Sequence, residues 1–365
     1  MSMTRLPLAS STMSAETPAS RGYRMPAEWE PHAATWLAWP HNAETWPEQL
    51  QQVEAIYVQL LSALQAQETV HVLVNDTAAA TQVLQRLTAP GQRQAHLVLH
   101  HHATVDAWLR DSGPIFLTPT ASTAQSLAIV DWRFTAWGGK YPDMLADDAL
   151  PRYISSLLGL PRFQPNLALE GGAIDVNGRG SCLTTEQCLL HANRNPHLQR
   201  VDIERALHDY LGVRHVIWLG EGIVGDDTDG HVDDIARFVN PTTVVCALTD
   251  DPQDANYAAL QDNYQRLQAA TDQDGRPLHV IPLPMPGLVG AAAAPLPASY
   301  ANFYIANGVV VVPTYEHPND QVALTILQDV FADRRVMGIP CTPLVWGLGA
   351  LHCITQQQPL IADNA

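Results

Sequence analysis

Apolar positions along this chain alternate between a helical rhythm and a strand rhythm. Leu50, Val53, Ile56, Leu60 and Leu64 fall three or four apart behind Thr45-Trp46-Pro47, a cap residue with an early proline, and predict a helix starting there. Thr69 to Val74 alternates as a strand, and Ala78 to Leu87 returns to helical spacing. His96 to Leu99 and Leu127 to Trp132 are short β-type runs, and 147–158 predicts a helix that admits Pro151 in its first turn. Cys182 to Thr185 reads as a strand, 198–211 as a helix and Arg214 to Leu219 as a buried strand. Ile235 to Val239 pairs with Thr243 to Leu248 through Asn240-Pro241, and a helix follows at 255–269. Repeated Pro, Gly and Ala make 282–298 a long loop. Asn302 to Ala306 and Val309 to Val312 flank Asn307-Gly308, a strong hairpin signal, before a last helix at 319–331.

Strand pairs therefore alternate with single helices, about one helix for every sixty residues. That is neither a βαβ series nor a sandwich; it predicts a ring of small α/β units. The chemistry keeps the same beat. Asp111, Glu170 and His231 stand about sixty residues apart, and Cys353 follows after twice that interval. If the units close on themselves, acid, base and thiol meet at one axis. The chain reads as an enzyme.

Composition narrows the reading. A hydrophobic fraction of 46% suits a globular core, and 16% charged residues is too few for charge-driven disorder. The net charge of −17 excludes a nucleic-acid partner and is compatible with a small cationic substrate. Cys182, Cys188, Cys246, Cys341 and Cys353 form no CxxC pair, which suits a reducing, cytoplasmic setting rather than a disulfide scaffold. The first 22 residues are rich in Ser, Thr, Ala and Met, without an apolar h-region, so 1–24 is expected to be a flexible tail before a single domain, 25–365. No apolar run reaches membrane-spanning length. A homo-oligomer is compatible with this composition.

Six ordered motif regions then carry a family resemblance. Met25-Pro26-Ala27-Glu28-Trp29-Glu30-Pro31-His32 with Thr35-Trp36-Leu37-Ala38-Trp39-Pro40 resembles the opening of agmatine deiminases and bacterial-type peptidyl-arginine deiminases. Trp108-Leu109-Arg110-Asp111-Ser112-Gly113-Pro114 and Ala136-Trp137-Gly138-Gly139-Lys140-Tyr141 resemble them too, as do Leu169-Glu170-Gly171-Gly172, Asp227-Thr228-Asp229-Gly230-His231-Val232-Asp233 and His352-Cys353-Ile354-Thr355-Gln356-Gln357. The resemblance runs from about residue 25 to the end. It implies a pentein fold, an α/β-propeller of five ββαβ units with pseudo-five-fold symmetry around a central active site. The fifth unit would start near residue 292, inside the Pro/Gly-rich loop.

The chemistry implied is hydrolysis of a guanidino substrate, agmatine foremost, to a ureido product and ammonia, with no metal or cofactor. A guanidinium is a poor electrophile and needs a strong nucleophile held close, which a thiolate provides. Cys353 takes that role; a lone cysteine is by default a buried apolar residue, but this one follows a glycine-punctuated turn and precedes Thr-Gln-Gln. His231 would protonate the leaving ammonia and then activate water. Asp233, two positions on, shares its face if the segment is extended. Asp111 and Asp233 would grip the guanidinium, and Glu170 would orient His231. Glycines 113, 171, 172 and 230 point to close backbone approach rather than to surface carboxylates. Trp108 is a candidate cation–π platform as well as a candidate core residue. Arg110 and Gly349 lie inside the matching motifs as further substrate contacts. Glu221, Asp226 and Asp227 are candidates for a distal amine, or simply a solvated acidic loop.

Other patterns carry less. His100-His101-His102 lacks metal-ligand spacing, 225–230 fits an EF-hand loop poorly, and Gly347-Leu348-Gly349 lacks a nucleotide-binding context. Agmatine-specific relatives usually read Gly-Gly-Gly-Asn-Ile-His-Cys where this chain has Gly347-Leu348-Gly349-Ala350-Leu351-His352-Cys353, and His41-Asn42-Ala43-Glu44-Thr45-Trp46 departs from their pattern too. Both departures bear on substrate choice. Peptidyl-arginine is therefore the second substrate class, and a non-catalytic polyamine-binding or metal-binding protein is the alternative of a different kind.

Overall fold

The computed structural model describes residues 16–87, 96–120 and 126–361 of the chain. Five sheets repeat one plan: two antiparallel strands, a helix, and a third strand parallel to the second. Ile115–Pro119 and Ala128–Val130 are followed by helix Leu150–Leu158 and strand Arg162–Phe163. Asp175–Val176 and Ser181–Thr185 precede helix Arg200–Leu211 and His215–Leu219. Ala236–Asn240 and Thr243–Leu248 precede helix Tyr257–Ala269 and His279–Pro284. Tyr304–Ala306 and Val309–Thr314 precede helix Asn319–Val330 and Arg335–Pro340. The fifth sheet joins the two ends of the chain: Gln356–Pro359 pairs antiparallel with His32–Ala38, which runs through helix Leu50–Leu64 to Thr69–Val74 and then to Leu97–His101.

The middle strand of each sheet is the most deeply covered. Ser181–Thr185 and Val309–Thr314 are buried at every position, as strands are when a helix covers one face and the protein interior the other. That is why they read as continuous apolar or small-residue runs rather than as alternation. Among the described residues, no helix is long and apolar enough to cross a membrane.

Several expectations need correction. The first long helix begins at Leu50 rather than behind Thr45. Thr45 hydrogen-bonds to Asp106, and Trp46 is fully buried with its indole N–H on the carbonyl of Leu344 at 2.9 Å, so tertiary contacts outcompete the cap. The loop expected at 282–298 contains the end of strand His279–Pro284 and a small hairpin, Gly290–Ala291 with Ala294–Pro295. Pro282 and Pro284 are tolerated because that strand lies at the sheet edge, where a missing N–H is not needed. Of the expected tail, residues 1–15 lie outside the described residues. Ala19–Arg21 forms a short 3-10 turn, and Tyr23–Arg24 adds a strand to Ile115–Pro119. Buried Tyr23 anchors that edge.

Arg237 ties the sheets together. It is fully buried and meets Asp175 Oδ1 at 3.1 Å, Glu28 Oε1 at 3.0 Å and the carbonyl of Phe303 at 2.8 Å. Removing it leaves buried Asp175 without its cation and Glu28 with Arg110 and His352 alone. Arg237→Ala should lower unfolding stability by about 3–5 kcal/mol, read as a fall in the urea midpoint.

Candidate active site

Each repeat offers a residue from the same place, the turn just before its first strand. Asp111 sits in a one-turn helix, Leu109–Ser112, ahead of Ile115–Pro119. Glu170 precedes the 3-10 turn Gly171–Ala173. His231 and Asp233 lie at the 3-10 turn Val232–Asp234. Asn302 precedes Tyr304–Ala306, and Cys353 precedes Gln356–Pro359. The 231–233 segment is thus a turn and not extended, yet both side chains still point to one place. A Cβ on Gly172 would lie 2.6 Å from His231 Nδ1, 2.9 Å from Asp233 Oδ2 and 3.0 Å from Asp111 Oδ1. Any side chain at 172 would occupy the centre.

The five expected catalytic residues do converge, and all are buried. The imidazole of His231 lies between carboxylates, Nδ1 3.7 Å from Asp111 Oδ1 and Nε2 3.8 Å from Glu170 Oε2. Neither ring nitrogen has a hydrogen-bond partner among the described residues. Cys353 Sγ accepts from Asn302 Nδ2 at 3.1 Å and lies 3.8 Å from Asp233 Oδ2. Asp111 accepts from the Trp137 indole at 2.9 Å and from the Gly172 amide at 3.0 Å. Glu170 is gripped by Arg194 Nε at 2.8 and 3.1 Å.

These contacts set the protonation states. Burial pushes the Cys353 thiol up, and Asp233, Asp234 and Asp111 push it further, well above the usual cysteine range. Burial opposes charge on His231, but Asp111, Cys188 and Glu170 more than offset this and hold its pKa well above the usual histidine value. The resting pair is therefore thiol and imidazolium. Glu170 stays ionised: against its burial stand the neighbouring His231 and the charge of Arg194, which hold its pKa below the usual value.

A cavity of about 540 Å³ opens onto Asp111 and Cys353 and is lined by Trp108, Trp137, Tyr141, Asp227 and Gly349 among others. Gly349 permits the approach of Trp108, since a Cβ there would meet its ring at 2.6 Å and Cys353 Cβ at 3.1 Å. The cation lining the cavity, Lys140, is already paired with Asp227 at 3.3 Å and Asp229 at 2.8 Å. The remaining acids leave the cavity negative, as a cationic ligand requires.

Four candidate contacts fall outside the cavity lining: Asp233, fully buried 3.8 Å from Cys353 Sγ, and then Arg110, Glu221 and Asp226. Arg110 is buried behind the site, bound to the His352 carbonyl, Gln356, Gln357 and Glu28, and anchors the turn that carries Cys353 instead of lining the cavity. Glu221 is exposed, away from the cavity. Asp226 spends its carboxylate on the amides of Thr228, Gly230 and His231 and so shapes the turn. Asn302, Trp137, Arg194, Glu28 and His352 went unassigned from sequence. The hairpin at 304–314 was the available signal for Asn302, since every other site residue precedes such a pair. Glu170, Cys188 and His231 are close enough together to suggest metal ligation, but Arg194 already supplies Glu170 with its positive charge.

Fold and site together define an α/β protein that gathers a thiol, an imidazole and carboxylates from repeated units around one cation-receptive cavity. The model of the Porphyromonas-type peptidyl-arginine deiminase family matches residues 24–359, and the chain belongs to that family. It is 38% identical to the agmatine deiminase of Ectopseudomonas mendocina (strain ymp), over 94% of this chain and 97% of that protein. The agmatine deiminase of Enterococcus faecalis superposes with a TM-score of 0.86 at 34% identity, covering 94% of this chain and 98% of that one. A cysteine-to-serine variant of the C. jejuni agmatine deiminase, solved with substrate bound, gives a TM-score of 0.82 at 27% identity, covering 92% and 96%.

The causes of the thiol's shift predict its reactivity. Asp233→Asn removes the charge that acts most strongly on Cys353 after burial. Without substrate at pH 8, iodoacetamide should alkylate Cys353 faster in this variant than in wild type, by roughly a few-fold or more, measured by peptide mass mapping. Equal rates would show that the Asp233 charge does not control the sulfur.

Proposed function

We propose that this chain hydrolyses agmatine to N-carbamoylputrescine and ammonia, with Cys353 as nucleophile, His231 as acid and then base, Asp111 and Asp233 as guanidinium ligands and Glu170 as the partner that orients His231. The observation that carries the reading is the approach of His231, Asp111 and Asp233 to one point beside Gly172, with Cys353 Sγ 3.8 Å from Asp233 and Glu170 3.8 Å from His231, where Asp111 and Cys353 meet a negative cavity. We further infer that the five repeats form one domain arranged as a propeller around that point. The pairing of the last strand with His32–Ala38 supports this arrangement.

The reaction follows from the resting charges. The substrate guanidinium enters between Asp111 and Asp233 and offsets the negative field that holds the thiol protonated. The thiol releases its proton to solvent, and the thiolate attacks the guanidino carbon. The His231 imidazolium gives its proton to the departing nitrogen, which leaves as ammonia, and a thiouronium remains on Cys353. The now neutral imidazole takes a proton from water, which attacks the same carbon. The C–S bond breaks and the ureido product departs. Acid–base assistance of this kind is worth about 10²–10⁴ in rate, and holding the carbon against sulfur contributes much of the remainder.

Agmatine ranks ahead of free arginine because, among the described residues, the one lining lysine is internally paired and leaves no cation for a carboxylate, and ahead of a peptide because its free amine is a second cation for a negative cavity. Ammonia and ureido product should form from agmatine with wild type and fall at least about 10³-fold with Cys353→Ala. A panel of agmatine, arginine and a blocked arginine peptide, assayed side by side, should show agmatine turned over most efficiently. Equal turnover by both proteins would falsify the nucleophile assignment, and preference for the peptide would replace the substrate.

A further inference from the structure

Two titratable residues stand directly behind the site without a part in the chemistry above. His352 immediately precedes the nucleophile, and Glu28 comes from the opposite end of the chain; both are buried. His352 Nδ1 lies 2.7 Å from Asp233 Oδ2, and its Nε2 lies 2.8 Å from Glu28 Oε2. Burial raises both carboxyl pKa values, but the hydrogen bond and charge of His352 with the charges of His231 and Arg237 together offset it at Asp233, and the charges of Arg237, His352 and Arg110 with the His352 hydrogen bond do so at Glu28. An ionised carboxylate only accepts, so the ring nitrogen that faces Asp233 serves it as a donor.

Glu28 is itself immobilised. Its Oε1 accepts from the Ile305 amide at 2.8 Å and meets Arg237 at 3.0 Å, while Arg110 approaches Oε2 at 3.3 Å. The imidazole is therefore a rigid strut between a fixed carboxylate and a functional one. At its far end Asp233 Oδ2 is held by His352 and lies 3.8 Å from Cys353 Sγ, whereas the buried Oδ1 has no hydrogen-bond partner among the described residues. A carboxylate bonded through one oxygen cannot rotate freely, and its second oxygen stays available.

The geometry points to His352 as a positioning residue: pinned by Glu28, it holds the Asp233 carboxylate in the one orientation that leaves an oxygen free for the substrate guanidinium. The inference rests on Asp233 being a guanidinium ligand. A ring that merely filled space would need neither donor. A strut needs the donor that faces Asp233 above all.

Side-chain amides separate these roles. His352→Asn keeps an N–H where Nδ1 stands, facing Asp233; His352→Gln keeps one where Nε2 stands, facing Glu28; His352→Leu keeps neither. In steady-state assays of the full chain with agmatine, the Gln and Leu variants should raise KM about tenfold or more, the scale of a lost charge-assisted hydrogen bond. The fall in kcat should be smaller, and the Asn variant should stay within about threefold of wild type. Agmatine affinity by calorimetry in a Cys353→Ala background should follow the same order, a readout that needs no turnover. Absence of ureido product from wild type would count against the hydrolase reading alone, because the calorimetric order still tests the strut. Asn and Gln variants that weaken agmatine binding equally, or that match wild type, would overturn the inference. If the Leu variant does not fold, the comparison of Asn with Gln decides.

Discussion

Glu28, Asp111, Glu170, Asp175, Asp233 and Asp234 all lie buried around one centre, and each charge taken from water costs on the order of several kcal/mol before it finds a partner. That burden governs the interior. Arg194 answers Glu170, Arg237 answers Asp175 and Glu28, and Arg110 adds to Glu28 from a third direction. Among the described residues Asp234 has no such cation; burial and its neighbour Asp233 raise its pKa well above the carboxylate range. The arginines contact the backs of the turns that carry the site and do not line the cavity. Support and function are thereby separated. The cations hold the turns, and the acids nearest the thiol are held by weaker partners, an indole and an amide for Asp111 and the imidazole of His352 for Asp233.

In the reaction proposed for this site, the asymmetry explains how Cys353 would remain quiet until substrate binds. A thiol surrounded by carboxylates resists ionisation, so the empty site holds a poor nucleophile. A bound guanidinium reverses that field at close range, where the low dielectric makes each charge count. In the proposed reaction the same cation that is to be attacked would thus generate its attacker. His231 is matched to this order of events, because the acids that suppress the thiolate also keep the imidazole protonated for the first step. One set of charges performs both tasks.

Much of this was legible before the fold was known, for reasons tied to period. A helix and two or three strands consume about sixty residues, so equivalent turns recur at that interval, and Asp111, Glu170 and His231 announced it. Asn302 escaped because the fourth unit begins late, after the hairpin at 290–295, and because asparagine carries no charge to attract notice. Arg110 was misread for the opposite reason: it lies in a matching motif beside Asp111, but on a one-turn helix its side chain turns toward Gln356 and Gln357. Adjacency in sequence says little about direction in a tight turn. Glu28 and His352 are more than three hundred residues apart, a partnership that no local pattern encodes.

That distant contact bears on why the chain closes in one register. Gln356–Pro359 pairs with His32–Ala38, and a slip of one residue would exchange the faces of every side chain along it. Backbone pairing by itself discriminates poorly among registers, since a shifted ladder makes nearly as many hydrogen bonds. The buried polar groups at this seam are less forgiving. Glu28 lies four residues before one strand and His352 four before the other, so their 2.8 Å contact forms only when the ladder is correctly seated. A shifted ladder would strand Glu28 in the core without its imidazole, a cost comparable to breaking a buried ion pair, about 3–5 kcal/mol. It would also carry Cys353 away from Asn302 and Asp233. The polar network that positions the nucleophile therefore discriminates between closures, and the correctly closed chain is the one in which the site is assembled.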